Sequence, residues 1–167
     1  KNSEEEIKRK WNMGSISVLK KFSLLSRNTI LIHGNHLSNN DLVDVFKNGA
    51  SIIHCVSSNL KVADGTINMR KIIKENMPIC IATDGVATSG KFSLLQEAQL
   101  AYLYHNRFHK KPYIPAEKFL DMITIDAART IGMQNQVGSI EENKNADLVF
   151  LDSGSRKKNV KNIIFKL

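Results

Sequence analysis

No apolar run of 18 residues occurs in these 167 residues, so no stretch of the sequence reads as a membrane-spanning helix. A basic, then apolar leader with a cleavage site is missing too, which leaves the cytoplasm as the default compartment. Cysteine is scarce. The two present, Cys55 and Cys80, sit within or beside apolar stretches, a placement that fits reduced, packed thiols and excludes a disulfide framework. Nucleic-acid signatures are also lacking. The net charge of +8 is spread over helical segments such as "EEEIKRK" and "MRKIIKE" and one run, "RKKNVK", with no interleaved aromatics. That distribution describes a solvated basic surface rather than a nucleic-acid interface.

With 42% hydrophobic residues the chain can bury a sizeable core, and its length suggests one main domain. It starts at Lys1 rather than Met and stops at Leu167 inside the apolar alternation "NIIFKL", so both ends are expected to lie within a longer chain. Ser3 and Glu6 stand at capping-box spacing, and the apolar period after them predicts one helix, or two short ones broken near Gly14, over 3–24. "NTILIH" (28–33), "ASIIHC" (50–55) and "ICIAT" (79–83) are short β-branched runs that read as buried strands. Between them, "SNNDLVDVFKNG" (38–49) and "TINMRKIIKENM" (66–77) read as helices, the first started by Ser38 or Asn39 and stopped by Gly49, the second separated from its strand by Pro78. Strand and helix thus alternate, the signature of βαβ units and a parallel sheet.

Each of the three strands ends in a residue capable of chemistry: His33, His54 and Asp84. Parallel α/β folds carry their sites at the edge where the strands end. A single histidine there is most simply a satisfied hydrogen-bonding residue, but three in step point to a site. An ionised Asp84 beside a core needs a partner or a metal. Downstream, "FSLLQEAQLAYLYHN" (92–106) reads as an amphipathic helix and 115–132 as a helix pair bounded by Pro115 and Gly132. His105 and His109 have i,i+4 spacing, which can bind metal, yet no acid or third ligand is near in sequence, so both are read as exposed. From Val137 the pattern turns to short alternating segments, which divides the chain into 1–136 and a β-type piece, 137–167.

The segments "ILIHGNHLSNNDL", "IIHCVSSNLKVADGTINMRKIIKENMPICIATDGVATSGKFSLLQEAQLA" and "DAARTIGMQNQVGSIEENKNADLVFLD" resemble, in order and spacing, the metal-dependent amidohydrolase superfamily. Within it they are most similar to the branch holding S-adenosylhomocysteine/methylthioadenosine deaminases, guanine deaminases and triazine chlorohydrolases. The resemblance implies the C-terminal part of a (β/α)₈ TIM-like barrel, strands six to eight ending in His33, His54 and Asp84, followed by a piece of a small β-sandwich. It implies a divalent metal, zinc or else iron, with Asp84 as a ligand that also takes a proton from the metal-bound water. His33 would stabilise charge as the tetrahedral intermediate forms, and His54, Ser58 and Asn59 would shape the substrate pocket.

Val56 stands where many relatives have proline, and Glu142 and Asn143 replace a usual Pro-Gly turn, differences confined to loops. The paired first-strand histidines and the fifth-strand His-x-x-Glu of the superfamily are absent, and residues 1–27 contain no histidine to replace them. The remaining ligands are therefore expected upstream of residue 1, and this chain alone is expected to be inactive. The implied partners are a small heterocyclic substrate and the N-terminal part of the same chain, with no nucleic acid and no membrane. A homo-oligomer is left open. The implied activity is hydrolytic deamination of an aminated purine or nucleoside-type heterocycle. A chlorohydrolase or another C–N hydrolase is the competitor within the superfamily, and a non-catalytic half-barrel binding module is the competitor outside it.

Overall fold

The computed structural model describes residues 2–90, 92–111 and 113–151, with the backbone alone for residues 2 and 3. The N-terminal region is two helices, α1 (Asn2–Trp11) and α2 (Ser15–Lys21), with the break at Gly14 that the sequence suggests. Helix α1 is already under way at Asn2, one residue before the expected cap Ser3. Three strands follow, β1 (Ile30–Ile32), β2 (Ser51–His54) and β3 (Ile79–Ile81), shorter than the apolar runs that contain them. They form a parallel sheet in the order β1-β2-β3, with Leu31 opposite Ile52 and Ile53 opposite Cys80. Parallel pairing brings all three strand ends to one edge.

Helix α3 (Asn39–Lys47) joins β1 to β2 and begins as the sequence indicates: Ser38 Oγ accepts from the Asp41 N–H and Asp41 Oδ2 accepts from the Ser38 N–H, a reciprocal box. Between β2 and β3 lie α4 (Val56–Lys61) and α5 (Met69–Lys74), the latter much shorter than 66–77 and capped by Asn68. Helix α4 is not foreshadowed in "VSSNLK", which carries no apolar period. Past β3 come α6 (Val86–Ser89), α7 (Leu94–Asn106), α8 (Ala116–Asp121) and α9 (Ile125–Thr130). Cys55 and Cys80 are free and buried, as their sequence context indicates.

The core joins Leu42 and Val45 of α3 to Ile52 of β2, Ile72 of α5, Ile79 and Ile81 of β3, and Phe119 and Met122 at the α8 end. Fully buried Leu, Ile and Phe side chains of this kind contribute about 1.5–3 kcal/mol each. The two sheet edges differ. On the β3 side, the Ile81 N–H donates to the Met122 carbonyl at 3.1 Å, so helix-end backbone occupies that edge. The β1 edge has no strand beside it among the described residues, and Ile30 and Ile32 are 38% and 59% exposed.

Residues 137–151 contain no strand, a correction to the alternating reading of the tail. Alternation specifies a strand only where a neighbouring strand accepts its hydrogen bonds, and Val149 and Phe150 are instead largely exposed. The rest of the expected β piece, 152–167, lies outside the described residues.

Two glycines near this junction separate conformational strain from steric exclusion. Gly138 has φ +95°, and a Cβ there would lie 2.8 Å from the Ala128 Cβ and 2.9 Å from the Ile125 Cα, whereas Gly132 has φ +75° and nothing within 4 Å. Gly132→Ala is therefore expected to destabilise the chain by about 1 kcal/mol through backbone strain alone. Gly138→Ala should cost about 2 kcal/mol or more, because α9 backbone must also move. Urea denaturation of the two variants checks the order; equal losses would mean that the 138 turn is not packed on α9 as described.

Candidate active site

His33, His54 and Asp84 gather at the edge where the strands end, but in different environments. The His33 N–H donates to the Ile53 carbonyl at 2.8 Å, the last rung between β1 and β2. The Gly34 N–H then turns back to the Ile32 carbonyl at 3.0 Å, making His33, with φ 72°, the centre of a tight three-residue turn. That left-handed turn is rare and strained for a residue with a side chain. Asp84 also has positive φ, at 60°. Two strained strand ends carrying chemical side chains are what a site held by its surroundings looks like.

The Asp84 carboxylate is well supplied with donors. Its Oδ2 accepts from Ser58 Oγ at 2.6 Å and from Thr88 Oγ1 at 3.1 Å, and its Oδ1 accepts from the Gly85 N–H at 2.7 Å. The Ser58 hydroxyl, then the Gly85 amide and Thr88, hold the carboxyl below the usual aspartate range, so it is ionised at neutral pH. His33 Nε2 lies 3.9 Å from Asp84 Oδ2, near enough for attraction but too far for a hydrogen bond. Both side chains remain about one-third exposed, at 38% and 32%. An ionised acid and an imidazole facing a partly open mouth can together orient a water and accept or donate its proton.

Ser58 and Asn59 come from α4 and are buried. Asn59 Nδ2 donates to Asn35 Oδ1 at 2.9 Å, Asn35 Nδ2 donates to Asp64 Oδ2 at 3.1 Å, and His36 Nε2 donates to Asp64 Oδ1 at 2.9 Å. This chain of bonds ties the loop after β1 to the loop after α4. The His36 and then the Asn35 hydrogen bonds hold the Asp64 carboxyl below its usual value.

His54 is fully buried, and its Nε2 lies 3.0 Å from the Nε2 of His105. His105 is therefore half-buried against β2 rather than exposed, a correction that follows from where α7 crosses the sheet; His109 is exposed as read. Burial, then the neighbouring His105 and His33, pushes the His54 pKa down to about 3. Burial, then Arg107, pushes His105 down to about 4. Both rings are neutral at pH 7, so one Nε2 carries the shared hydrogen and the other accepts it. The Nδ1 atoms of His33 and His54 are buried without a hydrogen-bond partner among the described residues. Cys55, at the β2–α4 turn, has its thiol pushed up to about 12 by burial and then by Asp84 and Glu97, so it is no nucleophile.

Sequence reasoning missed Thr88, on the short helix α6, and Glu97, fully buried on α7. The signal for Glu97 was there: a lone acid in the apolar setting "LLQEAQLAYL". A cavity of about 970 Å³ opens at the other end of the strands, lined by Arg27, Ile30, Ser51 and Ile79 and by Lys118 and Arg129. Those last two cations are already paired with Asp126, at 2.6 and 2.8 Å. It holds none of His33, His54 and Asp84.

Comparison with known proteins places this geometry among relatives. The model of the amidohydrolase family matches residues 1–167. The 5-methylthioadenosine/S-adenosylhomocysteine deaminase of Pyrococcus abyssi is 32% identical over 147 residues, 87% of this chain and 34% of that protein. Among solved structures, an adenosine deaminase from Xanthomonas campestris with bound zinc superposes with a TM-score of 0.86 at 23% identity, over 97% of this chain and 38% of that one. An atrazine chlorohydrolase from Arthrobacter aurescens complexed with zinc does so at 0.85 and 21%, over 96% of this chain and 37% of that one. The chain thus spans little more than a third of the length of the proteins it matches, and the structural likenesses show a shared fold.

The histidine pair makes stability pH-dependent with a definite sign. In the unfolded chain both rings take up protons near 6.5, whereas the folded chain resists protonation until about 4 and about 3. Between those limits the unfolded state binds more protons, so stability falls as pH falls below 6.5. Urea midpoints measured from about pH 7 to about pH 5 should decline, and His105→Gln should flatten the decline. An equal slope in the variant would show that the pair is not buried neutral.

Proposed function

The chain belongs to the amidohydrolase family, and from that premise we propose that it is the part of a hydrolytic deaminase of aminated purine-type heterocycles that carries Asp84 and His33. The observation that carries the reading is the ionised Asp84, fixed by Ser58, Thr88 and the Gly85 amide at a strand end, with His33 Nε2 at 3.9 Å. The named relatives at 31–32% identity, deaminases of 5-methylthioadenosine and S-adenosylhomocysteine, support the substrate class. The barrel assignment, with β1 to β3 as its last strands, is supported by the β1 edge, which has no strand beside it among the described residues and suits a preceding parallel strand.

Among the described residues no group of three or more His, Cys, Asp or Glu side chains could hold a metal ion. A catalytic zinc site uses three protein ligands plus water. Asp84, an anionic oxygen donor at a partly open edge, fits as one such ligand, and the absence of a group of three among the described residues supports a ligand set completed from outside them. Zinc, or iron in its place, would supply Lewis acidity and a water of lowered pKa. Within this chain, Asp84 accepts a proton from the attacking water; because its own pKa is depressed, it passes that proton on readily to the departing amine. His33 donates toward the oxygen on which charge develops. Ser58 and Asn59 hold the wall of the pocket, and His54, bonded to His105 beneath it, keeps the wall from collapsing inward.

In the intact natural protein supplied with zinc, wild type is expected to release ammonia from 5-methylthioadenosine, S-adenosylhomocysteine, adenosine or guanine, and Asp84→Asn should bring that release near background. His33→Asn should keep the metal and slow turnover on the order of 10²-fold or more. Near-wild-type ammonia release by Asp84→Asn would reduce that residue to a strand-end hydrogen-bond acceptor. Chloride release from a halogenated triazine without ammonia from any aminopurine would keep the family and remove the deaminase assignment.

The 167-residue chain by itself, dialysed against chelator and then equilibrated with zinc, is expected to retain well under one equivalent by atomic absorption. Stoichiometric retention would show that the ligand set is complete within this chain.

A further inference from the structure

The candidate site leaves one buried acidic side chain without a role. Glu97 lies in α7 and is fully excluded from solvent. Its Oε1 accepts the backbone N–H of Ser57 at 2.8 Å, forty residues away in sequence. Ser57 is the second residue of α4, the helix that carries Ser58 and Asn59. The first N–H groups of a helix have no partner within it and call for a cap. Cys55, in the capping position, makes no side-chain hydrogen bond to that turn. Ser57, Ser58 and Asn59 are all buried, so water is a poor substitute.

We propose that Glu97 is a positioning residue: from α7 it caps the first turn of α4, and through the Ser57 amide it fixes Ser58, whose hydroxyl holds Asp84 at 2.6 Å. The proposal rests on the catalytic role assigned to Asp84. What α7 contributes is an acceptor oxygen at a set distance. A slack first turn would let Ser58 retreat and leave the Asp84 carboxylate free to rotate, and misplacement of a reacting group by about 1 Å costs on the order of 10²-fold in rate. The same helix presses His105 onto His54, so the β2–α4 turn is held from both ends by one element.

The test uses the intact natural protein with Glu97→Gln, Glu97→Asp and Glu97→Met, each alone and combined with Ser58→Ala. Glutamine keeps the carbonyl oxygen in place and should rescue, with kcat within about 3-fold of wild type and Ser57 amide exchange unchanged. Aspartate keeps the carboxyl group but withdraws the oxygen, and methionine removes it. Both should lower kcat about 10- to 100-fold with KM nearly constant and speed exchange of the Ser57 and Ser58 amides. In the Ser58→Ala background the further loss should disappear, because the two residues act along one line. Losses that simply add, or aspartate outperforming glutamine, would overturn the proposal. If methionine does not yield folded protein, the glutamine–aspartate pair decides alone. If wild type releases no ammonia from any substrate, the deaminase reading fails, and amide exchange still decides the cap: equal exchange in wild type, Gln and Asp variants would refute it.

Discussion

The hydrogen bond from Ser58 to Asp84 is the contact on which the arrangement of this edge depends. It joins the loop after β3 to the helix after β2 at 2.6 Å, and it is the largest single cause of the carboxyl's low pKa. With it, Asp84 is a fixed anion in a strained left-handed conformation; without it, the residue has two remaining donors, both from the few residues that follow it, the Gly85 amide and Thr88 of α6. The neighbouring features are arranged around that bond. Asn59, one residue on, extends it through Asn35 to Asp64 and His36, so two loops that differ in sequence by some thirty positions share one polar frame.

This construction divides labour between strands and helices. The parallel sheet supplies coarse placement, because the β1–β2 register continues to the His33 amide on the Ile53 carbonyl, next to His54, and β3 ends three residues before Asp84. The helices supply fine placement through buried polar contacts that a sheet cannot make. In a low-dielectric surrounding such bonds are strong when satisfied and costly when broken, which concentrates the consequences of mutation on a few side chains.

The sequence made the strand order, the parallel pairing and the three strand-end residues legible, because each is encoded locally: a β-branched run, a capped helix, another run. The pairing of His54 with His105 was not, since it spans 51 positions and depends on the path of α7. Helices α4 and α6 escaped notice for a different reason: both are short and polar, stabilised by what they pack against rather than by their own period. Glu97 had only the apolar setting around it as a signal, and its burial is what makes that signal count. The tail misled in the opposite sense, showing a strand pattern where residues 137–151 form no strand.

The open edge of β1 has a colloidal consequence. An edge with no strand beside it among the described residues, flanked by the exposed Ile30 and Ile32, is a template for edge-to-edge adhesion between molecules. Against it stands the charge of +8, which repels like molecules over a distance set by the salt. The screening length is about 8 Å at physiological ionic strength and about 30 Å in dilute buffer. Salt therefore sets the balance at this edge: the repulsion reaches well beyond it in dilute buffer and is cut short at physiological ionic strength.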